Sequence, residues 1–236
     1  MFRGQNFDIV YEDEWMIAIN KPWGILVHRT SISEDTEFVL QLLRNQIKQR
    51  VYPIHRLDRA TSGVLLFSKS KAMASLLGGQ FREQQVQKKY LAIVRGFVAE
   101  EDAIDYALQS DPHKAKQEAI THFQKIAQTT YPAAISRYPN SRYSLVKITP
   151  LTGRQHQIRK HFAHIHHPII GDKKHGDCKH NKYFREVLAV PRMLLHAQSL
   201  SFQHPHRQAI LQLEAPMDTL FEKAMQLLTF SKDVAT

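Results

Sequence analysis

The stretch HRLDRATSGVLLF, residues 55–67, joins a charged segment to an apolar run. The four residues VLLF, 64–67, are typical of a buried β-strand. The Thr-Ser-Gly sequence before them, residues 61–63, predicts a turn that contains a flexible glycine. Asp58 is therefore expected on a loop that leads directly into a strand, which is a common position for functional residues.

Asp58 has an arginine on each side, Arg56 and Arg59. Nearby positive charges lower the pKa of a carboxylate and keep it ionised, and an ionised, partly desolvated aspartate can act as a nucleophile. The structural alternative is an ordinary ion pair, which an aspartate beside an arginine forms without any role in catalysis. The spacing by itself leaves both interpretations open.

Strand-like segments outnumber helical ones along the rest of the chain. The predicted strands are two within 7–22, then 64–67, 89–98, 119–127, 142–150, 194–202 and 209–216. The predicted helices are 31–47, with Ser33, Asp35 or Thr36 as N-cap, then 68–85, with Ser68 or Ser70 as N-cap, 152–165, and the amphipathic terminal helix 217–228. Residues 99–105 are expected to begin a connecting region, 108–118 to form a loop and 171–186 to be irregular. Helices scattered among a majority of strands predict the α+β class with a mixed sheet.

The segment TGRQHQIRKH, residues 152–161, is predicted to begin a helix at a capping box formed by Thr152 and Gln155. Gln155 and Arg159 would then share one helix face, and Arg159 could reach a carboxylate elsewhere in the fold. The helix N-terminus beside Gly153 could receive a phosphate. The alternative is a solvated basic helix with no ligand.

The segment QKKYLAIV, residues 87–94, places two lysines before an aromatic residue at the start of a predicted strand. Lys88 and Lys89 suit contact with phosphates, and the Tyr90 ring offers a surface on which a base could stack. The alternative for Tyr90 is an ordinary core aromatic.

The charge balance of the chain favours a polyanionic partner. Lys plus Arg number 32 against 22 Asp plus Glu, a net charge of +10, which is typical of nucleic-acid binding although many basic proteins bind none. Residues 151–185 concentrate this excess, and the cations there that suit an RNA backbone are Arg154, Lys160, Lys173 and Lys174.

Other sequence features narrow the functional class. The single cysteine, Cys178, permits no intramolecular disulfide and no Cys-rich zinc site, which fits a reducing cytosol. The histidines at 156–167 include a spaced pair, His161 and His164, but no HExxH motif accompanies them, so no metal is expected. Neither a Walker nor a Rossmann glycine loop is present, so no nucleotide cofactor is expected. The N-terminus lacks a signal peptide and no apolar run reaches bilayer length, so a cytoplasmic protein without membrane contact is predicted.

Five motifs, in order, resemble those of the RluA-type pseudouridine synthases. They are HRLDRATSGVLLF, QKKYLAIVRG, PLTGRQHQIRKH, HPIIGDKKHGD and LLHAQSLSF. The resemblance runs from about Phe7 to Pro216. It implies the pseudouridine synthase fold, a mixed and mainly antiparallel sheet flanked by helices and loops around a catalytic cleft. It also implies isomerisation of uridine to pseudouridine in RNA, with no cofactor.

The resemblance also implies roles for individual residues. Asp58 matches the catalytic aspartate, and Arg56 matches the arginine that fills the base stack when the target nucleotide is flipped out. Tyr90 matches the tyrosine that stacks on the target uracil. Arg159 matches the arginine that pairs with the aspartate, and Ile158 the apolar residue beside it. His175 is a departure, because many relatives have tyrosine there.

Within the family, the closest likeness is to the group that modifies uridine 65 of tRNA, on the segments RYPNSRYSLV and KHFAHIHHPIIGDKKHGD and the following His-Asn. A single catalytic domain over 1–236 is expected, without an N-terminal S4-like RNA-binding domain, and a monomer without an obligate protein partner. An rRNA substrate, a non-catalytic RNA-binding protein and an unrelated hydrolase with an aspartyl nucleophile remain alternatives.

Overall fold

The computed structural model of the protein describes residues 6–29, 35–109, 113 and 115–230. The chain forms two compact units, and both are discontinuous in sequence. Unit 1 contains residues up to Lys88 together with Ala197–Pro216. Unit 2 contains Lys89–His196 and the residues from Met217 onward. The expectation of a single catalytic domain stays a prediction.

The described residues of unit 1 form antiparallel strands and two helices. The strands are β1 (Asp8–Glu12), β2 (Met16–Lys21), β3 (Tyr52–Pro53), β4 (Ser62–Ser68), β9 (Leu195–Gln203, whose first two residues belong to unit 2) and β10 (Ile210–Glu214). Their order is β1-β2-β4-β9, with β3 paired to β4 and β10 paired to β9. The helices are α1 (Val39–Ile47) and α2 (Lys71–Arg82).

The core of unit 1 explains why these segments form these elements. Every residue of β4 is buried, as expected for an apolar strand with neighbours on both sides. Apolar side chains of β4, including Leu66, pack with Met73 and Leu77 of α2. The predicted Ser70 cap of α2 is confirmed, because the Met73 N–H donates to Ser70 Oγ at 3.1 Å.

The described residues of unit 2 form four further strands and three helices. The strands are β5 (Gln87–Arg95, whose first two residues belong to unit 1), β6 (Glu101–Asp105), β7 (Ile120–Tyr131) and β8 (Ser141–Pro150). Their order is β5-β8-β7-β6, with antiparallel pairings. The helices are α3 (Gln157–His164), α4 (Cys178–Glu186) and α5 (Thr219–Leu227).

The core of unit 2 joins the chain's last helix to its central strands. Leu91 and Ile93 of β5 and Tyr143 of β8 pack in one apolar cluster with Phe221 and Met225 of α5. The α5 helix is capped by Asp218, which accepts the N–H groups of Leu220 and Phe221. The amphipathic terminal helix predicted from the sequence is thus confirmed.

The α+β class predicted from the sequence is confirmed, whereas several local predictions are wrong. Residues 101–105 form the strand β6 and not a connection, since they pair with β7. Part of the 171–186 segment forms α4, because the Asp177 carboxylate caps it by accepting two N–H groups. The α1 helix begins after Phe38 with no side-chain cap, so neither Asp35 nor Thr36 caps it, and Ser33 lies outside the described residues.

Within the part of the chain that the structure describes, no helix has the length and apolarity needed to cross a bilayer.

Candidate active site

Asp58 lies in a tight turn that precedes β4. The Thr61 N–H donates to the Asp58 carbonyl at 3.1 Å, and the Gly24 N–H donates to the Arg59 carbonyl at 2.7 Å. Leu57 beside it is buried, while Asp58 itself is half-buried. The Asp58 backbone is therefore fixed from within the turn and from the neighbouring segment, whereas its side chain keeps access to solvent.

The buried side chain of Lys21 also supports the turn that carries Asp58. The Lys21 side chain is fully buried, and its ammonium donates to the carbonyls of Pro22 and Thr61 at 2.8 Å and of Arg59 at 3.4 Å. An ammonium has three donors, and a buried charge requires such partners to offset its desolvation. Lys21 is thus a structural anchor for the turn that carries Asp58.

The two arginines that flank Asp58 in the sequence differ in the structure. Arg59 donates through Nε to the Gly24 carbonyl at 2.9 Å and pairs through Nη2 with Asp35 at 3.1 Å. Arg56 is exposed, which leaves its guanidinium in contact with solvent. Arg59 therefore has a local structural role, and Arg56 is placed where a ligand could reach it.

The histidine that opens the motif also anchors it. His55 Nε2 accepts the Leu66 N–H at 3.1 Å, and its ring stacks on Phe81 with centroids 4.9 Å apart. Burial, with a smaller contribution from the nearby Lys88 charge, lowers the pKa of His55 to about 3. His55 is consequently neutral at pH 7 and serves as an acceptor for β4. Burial also lowers the pKa of Lys88.

Gly63 is required by strand packing and not by a turn. It has φ +114°, and a Cβ added there would lie 2.1 Å from the Ala197 carbonyl oxygen. The sequence predicted a flexible turn glycine, but residue 63 is already inside β4. The glycine lets β9 approach the strand that follows Asp58.

In unit 2, Arg159 forms a buried bidentate ion pair with Asp172. Arg159 donates through Nε to one carboxylate oxygen at 2.7 Å and through Nη2 to the other at 2.8 Å. The exposed side-chain fractions are 9% for Arg159 and 1% for Asp172. The sequence did not predict an ion pair between Arg159 and Asp172, because the two residues are thirteen positions apart and Asp172 lies outside α3.

The Asp172 carboxylate is held in its charged form. Burial raises its pKa, but the hydrogen bonds and charge of Arg159 and the N–H groups of His175 and Lys174 outweigh burial and keep the pKa below its usual value. The Asn181 amide in turn donates to the Asp172 carbonyl at 2.8 Å and accepts the Gly171 N–H at 2.6 Å. The two Asn181 hydrogen bonds thus hold the backbone at residues 171 and 172, and this fixes the carboxylate that orients Arg159.

The predicted capping box before α3 is wrong. The helix begins at Gln157, because His156 has the left-handed conformation, with φ 55°. Gln157 then replaces the predicted box: its Oε1 accepts the Thr152 hydroxyl at 2.7 Å and the Arg154 N–H at 2.9 Å. Gln155 precedes the helix and shares no helical face with Arg159.

The structure places Tyr90 and Ile158 in unit 2 together with Arg159. Tyr90 is a half-buried residue of β5 and pairs with Ile148 of β8. Ile158 is buried next to Arg159 at the start of α3. Tyr90 therefore differs from a fully buried core aromatic.

The family model of RNA pseudouridylate synthases matches residues 15–164, which is well over half of the chain. The chain belongs to the RNA pseudouridylate synthase family. This result confirms the family resemblance that the five motifs carry. The match includes Asp58, Tyr90 and Arg159.

Full-length relatives agree with this assignment. A protein named tRNA pseudouridine synthase C from Vibrio vulnificus (strain CMCP6) is 44% identical over an alignment of 240 positions, which covers 97% of this chain and 98% of the relative. A protein of the same name from Pasteurella multocida (strain Pm70) is 47% identical over 89% of this chain and 91% of its own.

Solved structures support the fold. The human RNA pseudouridylate synthase domain containing 1 has a TM-score of 0.72 at 23% identity, and covers 96% of both chains. The human RNA pseudouridylate synthase domain containing 4 has a TM-score of 0.69 at 24% identity, over 94% of this chain and 93% of its own. The pseudouridine synthase fold expected from the sequence is thereby confirmed.

The lysines and arginines predicted to contact an RNA backbone in this family member differ in accessibility. Lys173 and Lys174 are exposed beside Asp172, and Lys89 is half-buried. Arg154 is exposed and donates to the Glu118 carbonyl at 3.0 Å, and Lys160 donates to the Gln109 carbonyl at 2.7 Å. Arg154 and Lys160 therefore also stabilise the loop before β7.

The histidines near α3 bond to protein groups. His156 Nδ1 and His175 Nε2 are 3.0 Å apart, and burial lowers the pKa of His175. His161 Nε2 donates to the Tyr106 carbonyl at 3.0 Å. Among the described residues, no group of three or more histidine, cysteine or acidic side chains is arranged to hold a metal.

Sequence reasoning missed several supporting residues of the synthase: Lys21, Gly24, His55, Gln157, Asp172 and Asn181. Three of them, His55, Gln157 and Asp172, lie inside the quoted motifs. Their positions could have suggested a role, but their partners depend on the tertiary fold.

Proposed function

We propose that this pseudouridine synthase converts a uridine of tRNA into pseudouridine. The observation that carries the proposal is the full-length similarity to relatives named tRNA pseudouridine synthase C, at 44% identity over 97% of the chain. The likeness of the segment that contains His167 and Gly171 to the uridine-65 group favours position 65 as the target.

The reaction breaks the N1–C1′ glycosidic bond, turns the uracil and forms a C5–C1′ bond. The C5 proton is lost and N1 gains a proton, so the product is an isomer of the substrate. Nothing is oxidised and no group is added, so the chemistry requires no cofactor. In this proposal Asp58 is the catalytic residue and acts on uracil C6 or at the sugar.

The target base must leave its stack before a side chain can reach it, which costs a few kcal/mol. Arg56 is proposed to enter the gap and offset part of that cost, and its exposure is consistent with this role. Tyr90 is proposed to stack on the flipped uracil, an interaction worth roughly 1 to 3 kcal/mol. Ile158 would provide an apolar contact beside the base.

Arg159 is proposed to pair with Asp58 during the reaction and to stabilise negative charge on the departing base. Support comes from its fixed orientation, since Asp172 occupies Nε and Nη2 and thereby defines where Nη1 points. The Lys21 contacts to the carbonyls of Arg59 and Thr61 give Asp58 a comparably rigid mount. A catalytic constellation functions best when its supporting residues are already ordered.

The remaining cations are proposed to bind the tRNA backbone. They are Lys88, Lys89, Arg154, Lys160, Lys173 and Lys174. Because such binding releases counterions, affinity should fall steeply as the salt concentration rises. The exposed Lys173 and Lys174 are the members best placed to contribute to this dependence.

The test is carbodiimide mapping of pseudouridine in unmodified tRNA and rRNA incubated with wild type or with Asp58→Asn. The expected result is one new tRNA site, at position 65, made by wild type alone. Asp58→Asn preserves the shape of the side chain, so filter binding should show equal RNA affinity for both proteins.

A new site in rRNA but not in tRNA would overturn the substrate assignment. Equal modification by both proteins would overturn the role of Asp58. Equal binding of RNA without modification by either protein would favour a non-catalytic RNA-binding function.

A further inference from the structure

An exposed pair of stacked rings lies on unit 2, and neither of its two residues has a role in the function proposed above. Tyr106 follows β6 and His164 ends α3, and their rings are parallel to within 14° with centroids 3.7 Å apart. Tyr106 is 37% exposed, and His164 is also exposed. Because the two rings stack face to face, a further flat ring can stack on an outer face of the pair.

The pair is held in place by buried contacts. His161, one turn before His164, is fully buried, and its Nε2 donates to the Tyr106 carbonyl at 3.0 Å. Burial lowers the pKa of His161, which favours the neutral form of this donor. The two rings are therefore already ordered before a ligand binds, which reduces the entropic cost of binding.

The charges around the rings suit a polyanion. The Lys116 ammonium lies 5.8 Å from the centre of the Tyr106 ring, and Lys160, which is one turn before His164 on α3, donates to the Gln109 carbonyl. Asp105 precedes Tyr106 in the chain, and its negative charge acts on His161. Aromatic rings bordered by lysines are the combination that binds unpaired nucleotides, since bases stack while phosphates meet the cations.

We propose that the Tyr106–His164 pair is an accessory RNA-binding platform, on which an unpaired nucleobase of the substrate tRNA stacks while its phosphates contact Lys116 and Lys160. The platform rests on the proposed function only in taking tRNA as the ligand. It adds binding energy and takes no part in the chemistry.

The platform has a structural link to catalysis. One short helix, α3, carries Ile158 and Arg159 at its start and His164 at its end. A nucleotide that binds at His164 therefore contacts the same helix that carries Arg159. The expected contribution is nonetheless to affinity, because the bidentate contact with Asp172 fixes Arg159 independently.

The test compares Tyr106→Leu, Tyr106→Phe and His164→Leu in an Asp58→Asn background, which removes turnover from the measurement. The probes are unmodified tRNA transcripts and a fully paired RNA duplex. The matched control is Tyr138→Leu, since Tyr138 is a 58% exposed tyrosine of the same unit that also has a cation over its ring, Arg137 at 4.8 Å.

Tyr106→Leu and His164→Leu are expected to weaken tRNA binding about tenfold. Tyr106→Phe and Tyr138→Leu should bind as the parent does, and the affinity of the duplex should not change. Circular dichroism melting checks that each variant is folded.

Parental tRNA affinity in both leucine variants would overturn the platform. An equal loss for the duplex would also overturn it, because a paired RNA offers no free base to stack. A failure of the pseudouridine mapping leaves this binding result intact, so the two proposals fail separately.

Discussion

Arg159 gives two parallel hydrogen bonds to the two carboxylate oxygens of Asp172, and both side chains are buried. A bidentate arginine–carboxylate pair fixes the plane of the guanidinium as well as its position. The arginine proposed to act on the substrate is thus oriented before any RNA is present. Catalytic electrostatics of this kind is strongest when the dipoles need no rearrangement in the transition state.

Replacing Asp172 with asparagine should both destabilise the protein and reduce turnover. The change leaves the Arg159 charge buried without its counter-charge, which typically costs about 3 to 5 kcal/mol of folding free energy. The same change releases the guanidinium plane, so kcat on tRNA should fall more than KM rises. Urea denaturation and steady-state kinetics measure the two effects.

The matched control for Asp172→Asn is Glu186→Gln, which removes one acid from an exposed pair with Lys182 at 3.9 Å. Exposed pairs of this type contribute at most about 1 kcal/mol, so the control should unfold close to wild type. A loss below 1 kcal/mol in Asp172→Asn would show that the buried pair is not the support described above.

Lys21→Met should reduce kcat, because it removes the ammonium that binds the carbonyls of the Asp58 turn. Leaving such buried acceptors without a donor costs about 1 to 3 kcal/mol. The looser turn should lower kcat while KM for tRNA changes little. The control is Lys71→Met at the exposed start of α2. A variant at position 21 with reduced stability and full kcat would contradict the positioning role.

Gly63→Ala and Gly153→Ala should have opposite outcomes. A Cβ at residue 63 would collide with the Ala197 backbone at 2.1 Å, so this variant should lose most of its stability or fail to fold. A Cβ at residue 153 meets nothing within 4 Å, so that variant should match wild type or gain up to about 1 kcal/mol. Thermal melting of both proteins measures the difference, and equal melting temperatures would refute the close approach of β9.

His55 should make stability fall with acidity below pH 6.5. Its pKa is about 3 in the folded protein against 6.5 for an ordinary histidine. Between these values the unfolded chain binds a proton that the folded protein does not bind. The free energy of unfolding therefore decreases by up to about 1.4 kcal/mol per pH unit as pH falls through that window. Above pH 6.5 the group is neutral in both states and contributes no slope.

His55→Gln removes this titration. Urea denaturation at pH 7, 6 and 5 should show the stability advantage of wild type over the variant shrinking as pH falls. The difference between the two proteins is the relevant quantity, because other buried histidines titrate equally in both. If the stabilities of wild type and His55→Gln changed equally with pH, His55 would not be buried in its neutral form.

The class of fold and the main elements could be predicted from the sequence because they depend on local patterns. The apolar run VLLF, 64–67, marked the strand after Asp58, and Ser70 before α2 carried its own capping signal. The start of α3 was mispredicted because Thr152 and Gln155 have the spacing of a capping box. A different side chain, Gln157, accepts the Thr152 hydroxyl and the Arg154 N–H, and its own amide donates to the Ile120 carbonyl of β7.

The proposed functional residues could be named from motifs, but their supports could not. Asp58 and Arg159 stand out by residue type, whereas Lys21 and Asp172 resemble ordinary surface charges in the sequence. Their roles arise from burial, which converts a solvated charge into one that must find partners. Burial of a charged side chain is a property of the tertiary fold, and short-range patterns do not encode it.

The contact of Gly63 with Ala197 also has a consequence for biosynthesis. The strand that follows Asp58 obtains β9 as its neighbour only from residues near the end of the chain. A ribosome must therefore synthesise the chain through β9, Leu195–Gln203, before the Asp58 turn has its full support. Nascent chains should consequently be inactive on the tRNAs that surround them during translation.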